Sequence, residues 1–521
     1  MTVSYLTRPA QLPQSFVSMT ALGSVRAAMR REPDRKAIVF GDRTRTYREL
    51  VARSERLRDA ALTTLGLAKG DHVAIVARNC LEYMEVALGL PDAGVAVATV
   101  NPRFAAGEIR AIVENAEARV VFVDPLTAAT VRSAGFAPDV RIVEFGAEYE
   151  ALLDGAGTPA ELPVVEEWDI WTIPYTSGTT GMPKGVLLSH RSRLLFGLVS
   201  AAEYGCFGPD DSFLVITPMA FGGGLAYPLA SLAAGGWFEI TDKFEPETVL
   251  RKLKTGAFTG IFMVPTHFQM IFELPPAVLD QYRLPPLRAL ISNAAPLPQA
   301  LKEKIVPYFG DKVLHELYSA TEMGVVCNLR PQFQLQKERC VGTPEPHARI
   351  AIRREDGSEC DIDEVGELWV SSPTLFNGYW KRPEETAKAI RDGWVTVGDL
   401  ARRDADGFFY IVDRKKDMII TGGVNVYPRE IEEVLLRHPD IAEVAVIGVP
   451  DERWGERLLT FAVPRGNATL TADDLARFLD GKLATFKIPR ELEIIDALPR
   501  NANGKVLKTE LRVRVVAVPV A

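Results

Sequence analysis

The sequence predicts an α/β protein. A large N-terminal domain of parallel-rich sheets covered by helices, with a small β-barrel-like portion, is followed by a small mobile α+β domain. Three observations predict this. Short β-branched apolar runs alternate with amphipathic stretches of helical length, the mark of parallel strands buried on both faces. After about residue 340 the runs shorten and turn residues separate them, as in antiparallel strands. From Asp413 onward charge density rises and a compact mixture of helix and strand follows. At 521 residues the chain is ample for more than one core.

Taken in order, residues 72–77 (HVAIVA) read as a buried strand and residues 81–90 as the helix after it. Residues 118–123 (ARVVFV) form a second strand, and residues 170–174 lead into a glycine-rich loop. Residues 212–238 carry no formal charge and are long enough to span a bilayer. Pro218, Gly222, Gly223, Gly224, Pro228, Gly235 and Gly236 interrupt them, and a lipid-exposed helix could not satisfy its backbone with so many breaks. The expectation is therefore a strand at 213–217, a glycine loop, and a core helix from about Leu225. Residues 260–264 (GIFMV) and 287–291 (LRALI) are further strands. Residues 349–353 (RIAIR), 366–370 (GELWV) and 407–412 (GFFYIV) are expected to be antiparallel. Residues 428–438 form a helix with Pro just inside its start, residues 443–449 a strand, and residues 472–483 another helix. The domain boundary falls at residues 413–416, dividing the chain into 1–413 and 414–521. This junction is charged and has no long Gly/Ser tether, which points to a hinge.

A formal charge of −8 excludes a general nucleic-acid binder. The five cysteines are odd in number and include no C-x-x-C pair. That argues against a disulfide framework or a zinc site, and for small buried residues in a reducing cytosol. No basic start with an apolar run marks a signal peptide.

The strongest local signal is YTSGTTGMPKG at residues 175–185. Small hydroxyl residues and glycines let backbone N–H groups approach an anion closely, and Lys184 adds charge. It is not the Walker pattern, because a Pro precedes the Lys and no hydroxyl residue follows it. On composition alone, an ordinary loop and a phosphate loop both remain open. Four further segments decide between them: LYSATEMG at 317–324, VGDL at 397–400, DRKKDMIITGGVNVYPREIE at 413–432 and PRNANGKVLK at 499–508. Together, and in this order from about residue 33 to 508, they resemble the adenylate-forming superfamily. Its members are acyl- and aryl-CoA synthetases, amino-acid adenylation domains and beetle luciferases; bacterial fatty-acid and aryl-acid CoA ligases resemble this chain most.

The resemblance implies an AMP-forming acid–CoA ligase that uses ATP, Mg²⁺ and CoA. Thr176, Ser177, Gly178, Thr179, Thr180, Gly181 and Lys184 would cradle the ATP phosphates. Tyr318 would pack on adenine, Thr321 bond the α-phosphate, and Glu322 hold Mg²⁺, which favours one or two carboxylates plus phosphate oxygens. Asp399 would accept the ribose hydroxyls through its two oxygens, with Arg414 as a second contact. Lys505 would bridge the attacking carboxylate and the α-phosphate, two anions that must meet. Lys416 stands at the hinge between two placements of the small domain, and Gly422 and Gly423 face the CoA side. Residues 499–505 also resemble the site at which bacterial acetyltransferases modify such synthetases, which implies an acetyltransferase partner acting on Lys505.

On the substrate side, Phe221 stands where the family often has a histidine, so a histidine role in the second step is not expected here. Residues 221–226 (FGGGLA) contain no acid to pair with an α-ammonium. The substrate is expected to be a plain carboxylic acid. Gly222, Gly223 and Gly224, with Ala294 and Ala295, are expected to leave room, and Met263, Val264 and Phe268 to supply apolar walls for an aryl, alicyclic or longer acyl group. His267 reads as a core histidine. The alternatives are an enzyme that loads a separate carrier protein, one with a luciferase- or reductase-type second step, and an inactive, binding-only relative.

Overall fold

The computed structural model describes residues 16–176, 183–500 and 506–517. Among them the strands form four sheets. The first has seven strands and is parallel through Arg141–Glu144, Ala118–Val123, His72–Val76, Ala96–Thr99 and Ile170–Thr176. The second has nine. Its parallel centre runs Leu314–Ala320, Ala289–Ser292, Gly260–Met263, Ser212–Val215, Trp237–Ile240 and Lys36–Phe40, with antiparallel strands at both edges. The central strands His72–Val76 and Gly260–Met263 are buried on every residue because helices cover both faces. One core cluster runs between the two sheets and joins Val73, Ile75 and Val97 to Phe213, Val215 and Ile291.

Local chemistry places the helices. Tyr47–Thr63 starts at a capping box in which Thr46 and Glu49 exchange hydrogen bonds. Leu81–Asp92 is buried nearly all round, and its Glu82 and Glu85 are matched by Arg43, Arg45 and Arg53.

The third sheet, from Arg349–Arg353 to Phe409–Arg414, is wholly antiparallel. The fourth contains Ile419–Thr421, Val424–Val426, Ile441–Asp451, Gly455–Pro464 and Glu491–Ile494, with its own core. The expected strands and helices hold in kind, with ends that shift by a few residues. Two shifts bear on the site. The strand expected at 213–217 is Ser212–Val215, and the helix expected from Leu225 begins at Gly222, inside the supposed loop. Residues 212–238 are strand, helix and strand, and no described helix is long and apolar enough to cross a membrane. All five cysteines are buried and free.

Candidate nucleotide and acyl site

The strand Ile170–Thr176 pairs antiparallel with Lys184–Gly185, with Tyr175 opposite Gly185 and Thr176 opposite Lys184. Gly185 is a packing requirement: a Cβ there would lie 3.0 Å from Ile173 and 3.1 Å from the Tyr175 ring. Ser177, Gly178, Thr179, Thr180 and Gly181 lie outside the described residues, bracketed by the half-buried Thr176 and Lys184. Lys184 forms an ion pair with Glu385, and its ammonium sits 5.1 Å from the centroid of the Tyr379 ring. Glu385 also accepts a hydrogen bond from Arg382 at 2.8 Å. Burial alone would raise the Glu385 carboxyl, but Lys184 and Arg382 outweigh it and hold it below the ordinary value.

The Tyr379 hydroxyl donates to Glu322 Oε1 at 2.8 Å, and the Phe376 N–H donates to the Glu322 carbonyl at 2.9 Å. Burial, then the Glu322 carboxylate, hold the Tyr379 phenol well above its ordinary range, so it stays a donor. Lys184 and Glu322, from two other segments, therefore both meet the strap that carries Tyr379 and Glu385. Thr321 and Glu322 occupy the tight turn between Leu314–Ala320 and Gly324–Leu329. Gly324 closes that turn at φ +72°, where a Cβ would strike Thr374 Oγ1 at 2.6 Å. The Glu322 carboxylate is a hard oxygen donor at a turn, a fit for Mg²⁺ carried by phosphates.

A second group assembles beside it. Tyr318 donates to Asp399 Oδ2 at 2.6 Å, and Arg414 Nε lies 3.2 Å from Asp399 Oδ1. Asp399 and Arg414 are cross-strand partners in the third sheet, and Asp399 is only 6% exposed. Three separate sequence segments thus meet at one carboxylate. Both of its oxygens are engaged, so a bound diol would share the remaining lone pairs rather than meet an unpartnered acid.

Lys416 is exposed at the centre of the turn 415–417, between the last strand of the third sheet and the first of the fourth. Gly422 and Gly423, at φ +58° and +77°, form the two-residue loop between paired strands Ile419–Thr421 and Val424–Val426. A loop with positive φ at both positions needs glycine for its own geometry, independent of any ligand. Lys505 lies outside the described residues.

The acyl side departs from the expected spacious glycine run. Only Gly222 faces open space. A Cβ on Gly223 would come within 2.8 Å of the Phe262 ring, and one on Gly224 within 2.0 Å of the Pro218 carbonyl oxygen. Gly224 is there so that helix and loop can touch. Phe221 caps the helix in extended backbone and is half-buried. Met263 and Phe268 are fully buried core, whereas Val264 is partly exposed. Ala294 and Ala295 are exposed, and Ala294 holds φ +76°, a left-handed conformation that costs a non-glycine residue about 1 kcal/mol. His267 bonds the Val264 N–H and stacks on Phe244; burial pushes it down to about 4, a neutral structural histidine. Tyr379 and Glu385 escape sequence reading, because the strap carrying them meets the phosphate hairpin only after folding.

The family model described as "AMP-binding enzyme" matches residues 25–380, and "AMP-binding enzyme C-terminal domain" matches residues 430–505. The chain is 33% identical over 496 residues to an indoleacetate–CoA ligase of Aromatoleum aromaticum, covering 92% of this chain and 95% of that one. It is 34% identical over 492 residues to a feruloyl-CoA synthase of Amycolatopsis, covering 93% and 97%. Among solved structures it is similar to the o-succinylbenzoate CoA synthetase of Bacillus subtilis in complex with its acyl-adenylate intermediate. There the TM-score is 0.83 at 26% identity, over 95% of this chain and 99% of that one.

Proposed function

The chain belongs to the AMP-binding enzyme family, and on that premise we propose how its residues share the work of an acid–CoA ligase. The enzyme activates a carboxylic acid with MgATP to an acyl-adenylate and pyrophosphate, then passes the acyl group to CoA and releases AMP. The observation that carries it is the pair of groups Lys184–Tyr379–Glu322 and Tyr318–Asp399–Arg414, joined through the strand that carries Tyr318 into the turn holding Glu322.

Thr176, the loop 177–181 and Lys184 hold the β- and γ-phosphates. Glu322, oriented by Tyr379, is the residue that would hold Mg²⁺, whose charge offsets that of the phosphates. Thr321 donates to the α-phosphate from the same turn. Asp399 and Arg414 bind the ribose, and Tyr318, tethered at its hydroxyl, presents a fixed ring face to adenine. Lys505 stands between substrate carboxylate and α-phosphate as they approach, where a cation is worth most in a water-excluded site.

The chain divides at Asp413, with residues 414–521 turning about Lys416 to exchange Lys505 for Gly422 and Gly423. In support, the antiparallel sheet ends at Arg414 and a separate sheet begins at Ile419. The substrate is an uncharged-side-chain aryl, alicyclic or longer acyl acid, entering beside Phe221 and Gly222. Five free, buried cysteines fit a reducing cytosol. Acetylation of Lys505 by an acetyltransferase would remove the cation and stop the first step. The test is acid-dependent pyrophosphate release, followed by AMP and thioester formation on adding CoA. Adenylate that CoA does not consume would overturn the second half of this reading.

A further inference from the structure

The hairpin at the phosphate loop is gripped from behind by a residue that the reaction as described does not use. Asn115 is the penultimate residue of the helix Ala106–Ala116 and is half-buried. Its side-chain oxygen accepts from the Tyr175 hydroxyl at 2.8 Å. Its backbone carbonyl accepts from the Trp380 indole N–H at 2.9 Å. Carbonyls in the last turn of a helix lack a partner within it, so the indole satisfies one of them. The adjoining Ala116 carbonyl accepts from His72 Nδ1 at 2.7 Å, and the His72 ring stands edge-on to Trp380 at 4.5 Å. Glu117, the next residue, pairs with Lys381 at 2.8 Å. One helix end therefore holds two segments, 60 and 265 residues away from Asn115 in sequence.

Those two segments are the ones that frame the loop. Tyr175 immediately precedes Thr176, and its cross-strand partner Gly185 immediately follows Lys184. Trp380 immediately follows Tyr379, whose ring lies beside the Lys184 ammonium and whose hydroxyl bonds Glu322. The Trp380 N–H donates to the Gly185 carbonyl at 2.8 Å. A Cβ at Gly185 would meet the Tyr175 ring at 3.1 Å and the Trp380 Cβ at 3.3 Å, so both side chains pack on that glycine. Asn115 ties the two together from the far side. Burial raises the Tyr175 phenol well above its ordinary range, so it stays a donor. A buried donor that loses its acceptor must move to find another or stay unpaired, and here it would take the first residue of the hairpin with it.

Resting on the reading in which this loop and Lys184 hold the β- and γ-phosphates, we propose that Asn115 is a positioning residue for MgATP. It sets the strand that enters the loop against the strap that carries Tyr379 and Glu385, and touches no substrate itself. Groups fixed before the ligand arrives lose little freedom on binding it. The contribution of Asn115 therefore belongs to the β- and γ-phosphates. AMP, which has the same adenosine and α-phosphate but neither of those groups, does not feel it.

The test measures equilibrium binding of MgATP and of AMP to the full chain by calorimetry, beside thermal unfolding. Asn115→Ala should raise Kd for MgATP about fivefold or more, the effect of losing one hydrogen bond to a buried group, and leave Kd for AMP unchanged. Tyr175→Phe should give the same rise, and supplies the answer if the alanine variant does not fold. The double variant should bind MgATP no more weakly than either single one, because both substitutions delete the same bond. An equal rise for MgATP and AMP, or a lower Tm with both Kd values unchanged, means that Asn115 serves the fold alone and overturns this inference. So do effects that add in the double variant. Lys184→Ala separates the inference from the reading beneath it. Unchanged MgATP binding in that variant overturns the phosphate role of the hairpin and this inference with it. Weakened binding there, with none in Asn115→Ala or Tyr175→Phe, overturns this inference alone.

Discussion

The proposed nucleotide side of the site and the proposed CoA side are built to opposite specifications. On the nucleotide side, functional groups sit at the ends of packed strands and hold one another: Tyr379 on Glu322, Tyr318 and Arg414 on Asp399. On the CoA side, Gly422, Gly423 and Lys416 are exposed, and the nearby connections are light. The helix Pro428–Leu435 and the following turn reach the preceding loop through Arg339–Glu433 and Arg437–Glu338, the latter 3.0 Å apart with both side chains 57% exposed. Exposed pairs of this kind contribute about 0–1 kcal/mol each. The difference teaches that the two steps ask for different things. Phosphate chemistry needs groups fixed in advance, whereas a domain that must change places needs contacts that break cheaply.

That contrast can be broken by experiment. Lys505→Ala should give the largest effect, a loss of adenylation on the order of a hundredfold or more, while supplied acyl-adenylate is still converted to thioester. Equal loss in both half-reactions sinks the idea that separate placements serve them. Next comes Asp399→Ala, which strips Tyr318 of its acceptor and Arg414 of its partner. Losing hydrogen bonds to a charged group costs about 1.5–3 kcal/mol, so KM for MgATP should rise about tenfold or more; an unchanged KM removes Asp399 from the nucleotide site. Gly422→Val should act on the other side. Its Cβ would lie 3.1 Å from the Trp454 ring in backbone that disfavours valine. The thioester step should fall about tenfold with adenylation nearly intact, measured as separate half-reactions; a fall in adenylation alone contradicts the division. The smallest effect belongs to Arg437→Ala, which should change stability by less than about 1 kcal/mol in thermal unfolding and leave both steps alone. A large loss there would mean that the junction is rigid.

Much of this was legible before any coordinates. The runs HVAIVA, ARVVFV and GIFMV are strands because residues buried on both faces have no polar side to alternate with. The meeting of Tyr318, Asp399 and Arg414 was implied by ordered motifs, although the direct bonds among them were not. The glycine run was misread for a physical reason. A sequence records that a side chain is missing, but not whether the room goes to a ligand, as at Gly222, or to a neighbouring carbonyl, as at Gly224. Tyr379 and Glu385 were illegible because their partners are distant in sequence, and a single tyrosine or glutamate carries no spacing signal.

If Lys184 holds the ATP phosphates as proposed, its pairing with Glu385 has a consequence for how nucleotide arrives. The lysine is already neutralised by a carboxylate of its own chain, so an incoming triphosphate finds no bare positive charge at that point. It must instead evict an anion. Binding there is an ion exchange, in which the gain of one partner is set against the release of another to water. The long-range pull that salt would screen is correspondingly weak, and nucleotide affinity at this position should respond less to ionic strength than a lone lysine would demand.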